Sequence, residues 1–407
     1  MTATRKAALI VAGCVLWAVA GWFLWRTRVP DVRLPRLDVH SLFPPRMLAR
    51  AGRHDRVLDL LRIAETAVQL AILGLAAARG PRLATYLRGP RAARAATAAV
   101  AVLAAAWLAA LPLYAIGHWW QRRYGVTRQA YAPWLLDALR GLGLTLAVAA
   151  VAAAVLSVLA ARLRRRWWPA GALAVVAVGA ATVILAPLTV PGGTHALRDA
   201  RLADEIRRLA RSEHVPPPHV VVERASRRTT IANAEAVGLG PTERVVLWDT
   251  LLDGRYSGGE IRFVAAHELA HLARRHVWKG IAWLALIAVP ATWLLARVAD
   301  LADPAQVPRA VLVVVALQLV LLPLTNAISR RYEREADWLA LAATRDPASA
   351  RALFVRFAEL ALARPQPPEW SHLLLDDHPS FLERIELARA WELSSRGGRS
   401  RAGPGFP

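Results

Sequence analysis

The run His267-Glu268-Leu269-Ala270-His271 brings together residue types that can bind a metal ion and activate water. The surrounding sequence predicts a helix, on which positions i and i+4 lie on one face. His267 and His271 could therefore bind one zinc ion, while Glu268 could take a proton from a water molecule beside it. This is the chemistry of metal-dependent peptide hydrolysis, for which the five-residue pattern alone is only moderately specific.

A catalytic zinc site needs a third protein ligand, with one coordination position left for water. The metzincin pattern would require glycine at position 274 and histidine at position 277, where this chain has Arg274 and Val277. That pattern is therefore excluded. His276 lies nearby but about half a turn away from the face of His267 and His271, so we interpret it as a helix-capping or packing residue.

A second predicted helix, residues 332–337, offers the missing ligand. Glu333 and Asp337 share one face at i, i+4, whereas Glu335 points elsewhere. Glu333 could bind zinc, and Asp337 could accept a hydrogen bond from a ligand histidine. An ordinary charged surface helix would show the same pattern. The helix over residues 332–337, however, is expected on the same side of the membrane as the H-E-x-x-H motif, which favours the metal-binding interpretation.

The composition of the 407-residue chain indicates a membrane protein, since 56% of its residues are hydrophobic and its mean hydropathy is +0.31. The net charge of +22 is almost entirely arginine, which is typical of juxtamembrane segments facing anionic lipid and of a GC-rich bacterial genome. The chain contains no nucleic-acid-binding or P-loop motif, so neither nucleic acid nor nucleotide is an expected partner. The single cysteine, Cys14, excludes disulfides and cysteine-based metal sites.

Seven stretches are apolar and long enough to cross a bilayer, which requires about 20 residues each. The second is interrupted by Arg62 and Glu65, and charges at that depth usually face a bundle interior or a water-filled cavity. The first is expected to be a retained anchor rather than a removable signal peptide. The predicted spans are Ala7–Trp25, Leu60–Ala78, Ala95–Ile116, Gly141–Ala161, Trp167–Leu188, Val277–Leu295 and Ala310–Ile328.

A polar stretch between the fifth and sixth spans has a different pattern. It predicts an amphipathic helix over residues 196–214, strands over 219–224 and 244–252, and the H-E-x-x-H helix, which is expected to run directly into the sixth span. The fold class is therefore mainly α: a polytopic membrane protein with about seven transmembrane helices and a small α+β zincin-like catalytic domain. The predicted divisions are an N-terminal membrane domain (1–190), a soluble catalytic part (191–276), a transmembrane hairpin (277–328), a C-terminal catalytic part (329–395) and a disordered tail (396–407).

The distribution of arginine predicts the orientation in the membrane. The loop after the first span carries eight arginines and the loop after the second carries five, so the positive-inside rule favours an outside N-terminus. With seven spans, both catalytic parts then lie in the cytosol, at the plasma membrane of a bacterium. Arg162 and Arg164–Arg166 fall on the side predicted to be outside, and they reduce the difference in arginine count between the two sides of the membrane.

Four segments carry a resemblance to a known family: NAEAVGLGPTERVVLWDTLL, VAAHELAHLARRH, SRRYEREADWLAL and DDHPSFLERI, in that order. They resemble the integral-membrane gluzincins that contain the type I CAAX prenyl endoproteases and, more distantly, the bacterial HtpX proteases. The seven predicted spans and the loop around residues 118–141 are similar to the CAAX-protease branch. The resemblance is strong from about residue 230 to 385.

This resemblance implies one zinc ion per chain, with His267, His271 and Glu333 as its ligands and Glu268 as the general base. It also implies a peptide or protein as substrate and the lipid bilayer as the surroundings of the site. In the family the spans enclose a large intramembrane chamber above the zinc, for which Arg62, Glu65 and Gln318 would provide a polar lining. The alternative is that these three residues make interfacial or helix–helix polar contacts.

The resemblance further implies roles for residues outside the metal ligands. Asp337 corresponds to the aspartate that supports a ligand histidine, and Arg384 to the arginine that pairs with this aspartate. His378 corresponds to a histidine at the active site. Asn233 and Ala234 correspond to the start of the edge strand along which substrate lies in the family.

One departure from the family pattern precedes His378. Asp376-Asp377 stands where relatives commonly carry a small hydroxyl residue, which is expected to alter substrate preference near the scissile bond.

The expected function is that of a zinc-dependent membrane endopeptidase acting on membrane-associated substrates, either prenylated or misfolded. A true prenyl-protein processing enzyme ranks second, because such substrates would be scarce in a bacterium. The remaining alternative is a non-enzymatic transporter or scaffold with an inactive zinc motif, which would need none of the ligand, base and supporting residues found here.

Overall fold

The computed structural model describes residues 3–188, 193–216 and 218–401. The described residues form fourteen α-helices and four β-strands. The helices are α1 (Ala3–Trp25), α2 (Val39–Leu42), α3 (Pro45–Ala78), α4 (Gly80–Ala84), α5 (Arg91–Tyr124), α6 (Tyr131–Leu163), α7 (Trp168–Leu185), α8 (Ala200–Ser212), α9 (Gly258–Ala273), α10 (His276–Val298), α11 (Val307–Thr344), α12 (Pro347–Ala361), α13 (Glu369–Leu375) and α14 (Phe381–Arg401). The strands are β1 (Thr194–Ala196), β2 (His219–Glu223), β3 (Ala234–Val237) and β4 (Arg244–Trp248).

Within the described ranges, six helices are long and apolar enough to cross a membrane: α3, α5, α6, α7, α10 and α11. They coincide with the second to seventh predicted spans. The first predicted span coincides with α1, whose described apolar part, Val11–Trp25, is shorter. The fold is thus the mainly helical, polytopic one that the sequence predicts.

The membrane helices enclose a cavity of about 700 Å³ between α3, α5 and α6. Arg62 and Glu65, the charges that interrupt the second predicted span, both line this cavity, together with Gln69 and Tyr114. The amide nitrogen of Gln69 donates to the hydroxyl oxygen of Tyr114 at 2.6 Å. The polar residues of α3 therefore line the space between these helices, as expected for charges at this depth. Gln318 of α11 is not among the residues that line this cavity.

The strands form one sheet in the order β1-β2-β4-β3. The Val-rich strands β2 and β4 pair in parallel, and both were predicted from their β-branched runs. The three-residue β1 was not predicted, since it is too short to show an alternating pattern. β3 pairs antiparallel with β4, with Ala234 opposite Leu247, and lies at the edge of the sheet beside α9.

The core of the catalytic part lies between one face of this sheet and helices α8 and α9. Val245 and Leu247 from the sheet pack with Ile206 of α8 and with Phe263 and Leu269 of α9, and all five side chains are almost fully buried. Burial of each such side chain contributes about 1.5–3 kcal/mol relative to exposure. This packing fixes the position of α9 relative to the edge strand.

The N-terminus of α9 is fixed by a capping box. The Ser257 hydroxyl oxygen accepts from the backbone N–H of Glu260 at 3.3 Å, and the Glu260 carboxylate accepts from the backbone N–H of Ser257 at 2.6 Å. Arg356 of α12 donates to the other carboxylate oxygen of Glu260 at 3.0 Å. The helix that carries the H-E-x-x-H motif therefore begins at a defined residue.

The prediction that α9 runs directly into the sixth span was wrong. α9 ends at Ala273, and Arg275 has left-handed backbone angles (φ 53°, ψ 43°) before α10 begins at His276. A left-handed residue interrupts the i to i−4 hydrogen-bond pattern and changes the direction of the chain. His276 therefore starts a new helix and is not bound by the periodicity of α9.

The C-terminal boundary also differs from the prediction. A disordered tail was predicted from residue 396, but α14 continues to Arg401. Residues 402–407 of the predicted tail lie outside the described residues.

Glu213, which follows α8, carries two carboxylate oxygens that are buried without a hydrogen-bond partner. Burial raises the pKa of this carboxyl from 4.5 to about 8, although the positive potential at His267 opposes the rise. The pKa of Glu213 is higher in the folded protein than in the unfolded chain, so the protonated carboxyl favours folding. This contribution to the free energy of unfolding is complete below about pH 4.5 and is lost as the pH rises through 8.

The Glu213→Gln variant cannot ionise, so we expect its melting temperature to exceed that of the wild type by more at pH 8.5 than at pH 5.5. The measurement is thermal unfolding of the purified protein in detergent at both pH values. Glu359→Gln, a change at an exposed position of α12, is the control. An identical pH dependence of wild type and Glu213→Gln would contradict the assigned burial.

Candidate metal centre

Two helices bring three potential metal ligands together. α9 supplies His267 and His271, and α11 supplies Glu333. One ligand atom from each residue lies within 4.8 Å of the other two. The Nε2 atoms of the two histidines are 3.1 Å apart, and each lies 3.3 Å from a carboxylate oxygen of Glu333.

The chemistry of this donor set fits a zinc ion. Two imidazole nitrogens and one carboxylate are the protein ligands of one common class of catalytic zinc site. Glu333 Oε2 is buried and makes no hydrogen bond, although His267 Nε2 lies 3.3 Å from it, and a buried carboxylate oxygen is costly unless a cation or a donor is supplied. Burial lowers the pKa of His267, but Asp337 and Glu333 outweigh burial and raise this pKa. The environment thus stabilises positive charge where the ligand atoms meet.

A buried ion pair supports the first ligand histidine. His267 Nδ1 lies 2.9 Å from Asp337 Oδ1, and Asp337 is almost fully buried. Arg384 of α14 donates to both carboxylate oxygens of Asp337, at 2.6 and 2.8 Å. A carboxylate accepts, so His267 donates to Asp337 from Nδ1, and Nε2 is the nitrogen that would bind a metal ion once it has lost its proton. The structure thus brings Asp337 and Arg384 together with His267, and their supporting role at a metal site stays a prediction.

His378 lies at the outer side of the ligand set, just before α14. Its Nε2 is 3.4 Å from Glu333 Oε2, and its Nδ1 is 2.7 Å from Asp377 Oδ1. Partial burial lowers the pKa of His378, but the contacts with Asp377 and Glu333 outweigh this effect and raise the pKa. The aspartate that departs from the family pattern therefore contacts the histidine directly.

The three candidate ligands line a cleft of about 970 Å³. One wall of the cleft is the edge strand, with Asn233, Ala234 and Glu235, and Glu268 lies in the cleft beside the ligands. Glu268 is buried, with 6% of its surface exposed. Burial raises the pKa of Glu235, and the proximity of Glu268 raises it further. The cleft therefore concentrates carboxylates next to the positively polarised ligand set.

The cleft and the membrane cavity are adjoining spaces. Arg62, Gln129 and Arg228 line both of them. A chain that occupies the cleft could therefore extend from the aqueous side toward the interior of the helix bundle.

Two residues near the site were not assigned a role in metal binding by the sequence analysis. His276, expected to cap or pack a helix, lies with its Nδ1 2.9 Å from His271 Nδ1. Glu335 points away from the Glu333 face, as expected, but it is fully buried and contacts His276. Helical periodicity could not indicate these contacts, because they cross the break at Arg275.

Comparison with known sequences finds a family similarity over the catalytic part. Residues 196–392 match Peptidase family M48. The chain is 26% identical over 302 residues to the uncharacterized metalloprotease YhfN of Bacillus subtilis strain 168. The matched region covers 70% of this chain and 71% of that protein. It is also 26% identical over 226 residues to the CAAX prenyl protease 1 homolog of Oryza sativa subsp. japonica, covering 53% of this chain and 52% of the relative.

Most of the chain resembles a solved structure in its fold. The crystal structure of S. mikatae Ste24p superposes with a TM-score of 0.68, covering 92% of this chain and 96% of that chain, at 18% sequence identity. The similarity extends through the membrane helices as well as the catalytic part. These matches confirm the family resemblance predicted from the four sequence segments.

Proposed function

We propose that this chain, a membrane metalloendopeptidase of the M48 type, uses one zinc ion to hydrolyse peptide bonds of membrane-associated substrates. The observation that carries the proposal is the convergence of His267, His271 and Glu333 in a cleft beside an open strand edge. When bound, zinc would lower the pKa of a coordinated water toward about 7 and polarise the scissile carbonyl.

Glu268 is the proposed general base. It follows a ligand residue directly in α9, is buried, and lines the cleft. As a carboxylate it takes the proton of the attacking water and passes it to the leaving amine as the peptide bond breaks. His378 is proposed to donate a hydrogen bond to the oxygen that becomes negative during the attack, and Asp377 holds its ring in place from the opposite nitrogen.

The edge strand is the proposed binding surface for the substrate backbone. Among the described residues β3 pairs with β4 on one side only, which leaves its other edge, along Asn233 and Ala234, facing the cleft. An extended peptide can add to such an edge through main-chain hydrogen bonds, with little demand on its sequence. This mode would place the scissile bond beside Glu268.

The proposed substrates are misfolded or otherwise membrane-associated peptides. The contact between the cleft and the membrane cavity supports this class, because a substrate could keep an apolar portion inside the bundle. Prenylated peptides are the second candidate, and the rice relative that is named as a CAAX prenyl protease homolog favours them. The catalytic part is proposed to face the bacterial cytosol, on the basis of the arginine distribution.

A single fluorogenic peptide, prepared with and without a farnesyl group, tests these proposals. We expect zinc-dependent cleavage of both forms by the purified protein in detergent and cleavage slower by about 10²–10⁴-fold by the Glu268→Gln variant. Cleavage of the farnesylated form alone would assign the chain to prenyl-protein processing. No cleavage of either form by protein with bound zinc would contradict the general peptidase proposal. In native vesicles, externally added peptide should be cleaved in inverted but not in right-side-out preparations; the reverse would contradict the orientation.

A further inference from the structure

The second ligand histidine has a support of its own, built from the first turn of α10. His276 is buried, and its Nδ1 lies 2.9 Å from Nδ1 of His271. Its ring stacks on Tyr332 of α11, with the ring centroids 4.6 Å apart and the planes 8° from parallel. The Tyr332 hydroxyl donates to the backbone oxygen of Leu24 at the end of α1. The orientation of the His276 ring is therefore fixed by its stacking on a tyrosine that is itself hydrogen-bonded to α1.

The other nitrogen of His276 contacts a fully buried carboxylate. His276 Nε2 lies 3.0 Å from Glu335 Oε2, and Arg274 Nε donates to Glu335 Oε1 at 2.9 Å. The backbone N–H of Arg28, in the segment after α1, donates to the same oxygen at 2.8 Å. Lys279 Nζ lies 3.5 Å from Glu335 Oε2. Glu335 thus has the donors and the positive charges that keep a buried carboxylate ionised.

These contacts permit only one arrangement of protons that leaves Nε2 of His271 free to bind a metal ion. Glu335 accepts hydrogen bonds only, so His276 must donate to it from Nε2. A neutral imidazole carries one N–H, so Nδ1 of His276 is an acceptor and Nδ1 of His271 must donate to it. The lone pair of His271 is then on Nε2, the atom that faces His267 and Glu333. The opposite arrangement would place a proton on Nε2 of His271 and prevent metal binding.

We propose that His276, held by Glu335, is a positioning residue that fixes the metal-binding tautomer and orientation of His271. The inference rests on the metal site of the proposed function. It assigns the two ligand histidines different supports: His267 donates directly to the carboxylate of Asp337, whereas His271 donates to a neutral imidazole that in turn donates to Glu335.

Two substitutions of His276 separate hydrogen bonding from packing. His276→Phe retains a ring that can stack on Tyr332 but has no acceptor for His271, so we expect zinc affinity to fall by about 10–100-fold. His276→Asn provides an acceptor oxygen close to the position of Nδ1, and its zinc affinity should stay within a few-fold of wild type. The control is His219→Phe, a change at an exposed position of β2 far from the ligands in sequence.

The measurement is zinc affinity of the full-length protein in detergent, by competition with a chelator at buffered zinc concentrations. The absorption spectrum of the cobalt-substituted protein reports independently on ligand geometry, and it should change in His276→Phe only. Wild-type affinity in folded His276→Phe would overturn the proposal. If His276→Phe does not fold, a tenfold or greater loss in His276→Asn would overturn it.

The failure of this proposal can be distinguished from the failure of the proposed function. A wild-type protein that binds no zinc, or a Glu333→Ala variant that binds it normally, would contradict the metal site itself. Stoichiometric zinc in the wild type with unchanged affinity in the His276 variants would contradict only the positioning role.

Discussion

The Glu268→Gln variant is expected to bind zinc as the wild type does and to lose peptide hydrolysis by about 10²–10⁴-fold, the usual contribution of general acid–base catalysis. Glutamine has nearly the shape of glutamate, so the packing of α9 around this buried position should persist. It cannot accept a proton from the attacking water, and the expected loss is therefore in kcat. Activity assays and zinc analysis on the same preparations test the two halves of the prediction.

Glu359→Gln is the matched control, because it makes the same chemical change at an exposed position of α12. It should retain wild-type turnover. Loss of zinc from Glu268→Gln would argue that Glu268 is a structural or ligand residue rather than the base. Near-normal turnover in that variant would exclude the base role directly.

The Glu333→Ala variant is expected to lose both bound zinc and activity. Glu333 supplies the only carboxylate of the three-residue candidate ligand set, and its Oε2 atom makes no hydrogen bond, with His267 Nε2 at 3.3 Å and His378 Nε2 at 3.4 Å. Losing a hydrogen-bond partner of a ligand typically weakens metal binding by about 10–100-fold, so losing a ligand itself should exceed that range. The measurement is zinc content after dialysis against buffered metal.

Arg334→Ala provides the control for Glu333→Ala. Arg334 is the next residue of α11 and is exposed, so its replacement changes the same helical turn without entering the ligand set. It should bind zinc normally. Full zinc occupancy in Glu333→Ala would mean that the third ligand is another residue, and the ligand set would then have to be assigned again.

The relation between the ligand residues was predictable, because helical periodicity determines it. His267 and His271 share a face at i, i+4, as do Glu333 and Asp337, and this relation holds wherever the two helices lie. The membrane helices were predictable for a similar reason, since the thickness of the bilayer sets their length. In both cases the information lies within one continuous segment.

The contacts of His276 could not be predicted in the same way. They depend on the left-handed backbone of Arg275, an arginine in a sequence whose composition is compatible with an uninterrupted helix. They also require the end of α1 to approach α11, because the backbone of Arg28 donates to Glu335. His378 was identified only through family resemblance, since its proximity to Glu333 results from the packing of α14 and not from local sequence.

The placement of the ligands on two helices has a thermodynamic consequence. His267 and His271 belong to a helix packed on the soluble sheet, whereas Glu333 belongs to the continuation of a membrane-spanning helix. An ion bound between them would be a crosslink between the two parts of the molecule. Its binding free energy would therefore also keep the catalytic part docked on the bundle of membrane helices. Cells that starve for metal would then hold a loosened enzyme as well as an inactive one.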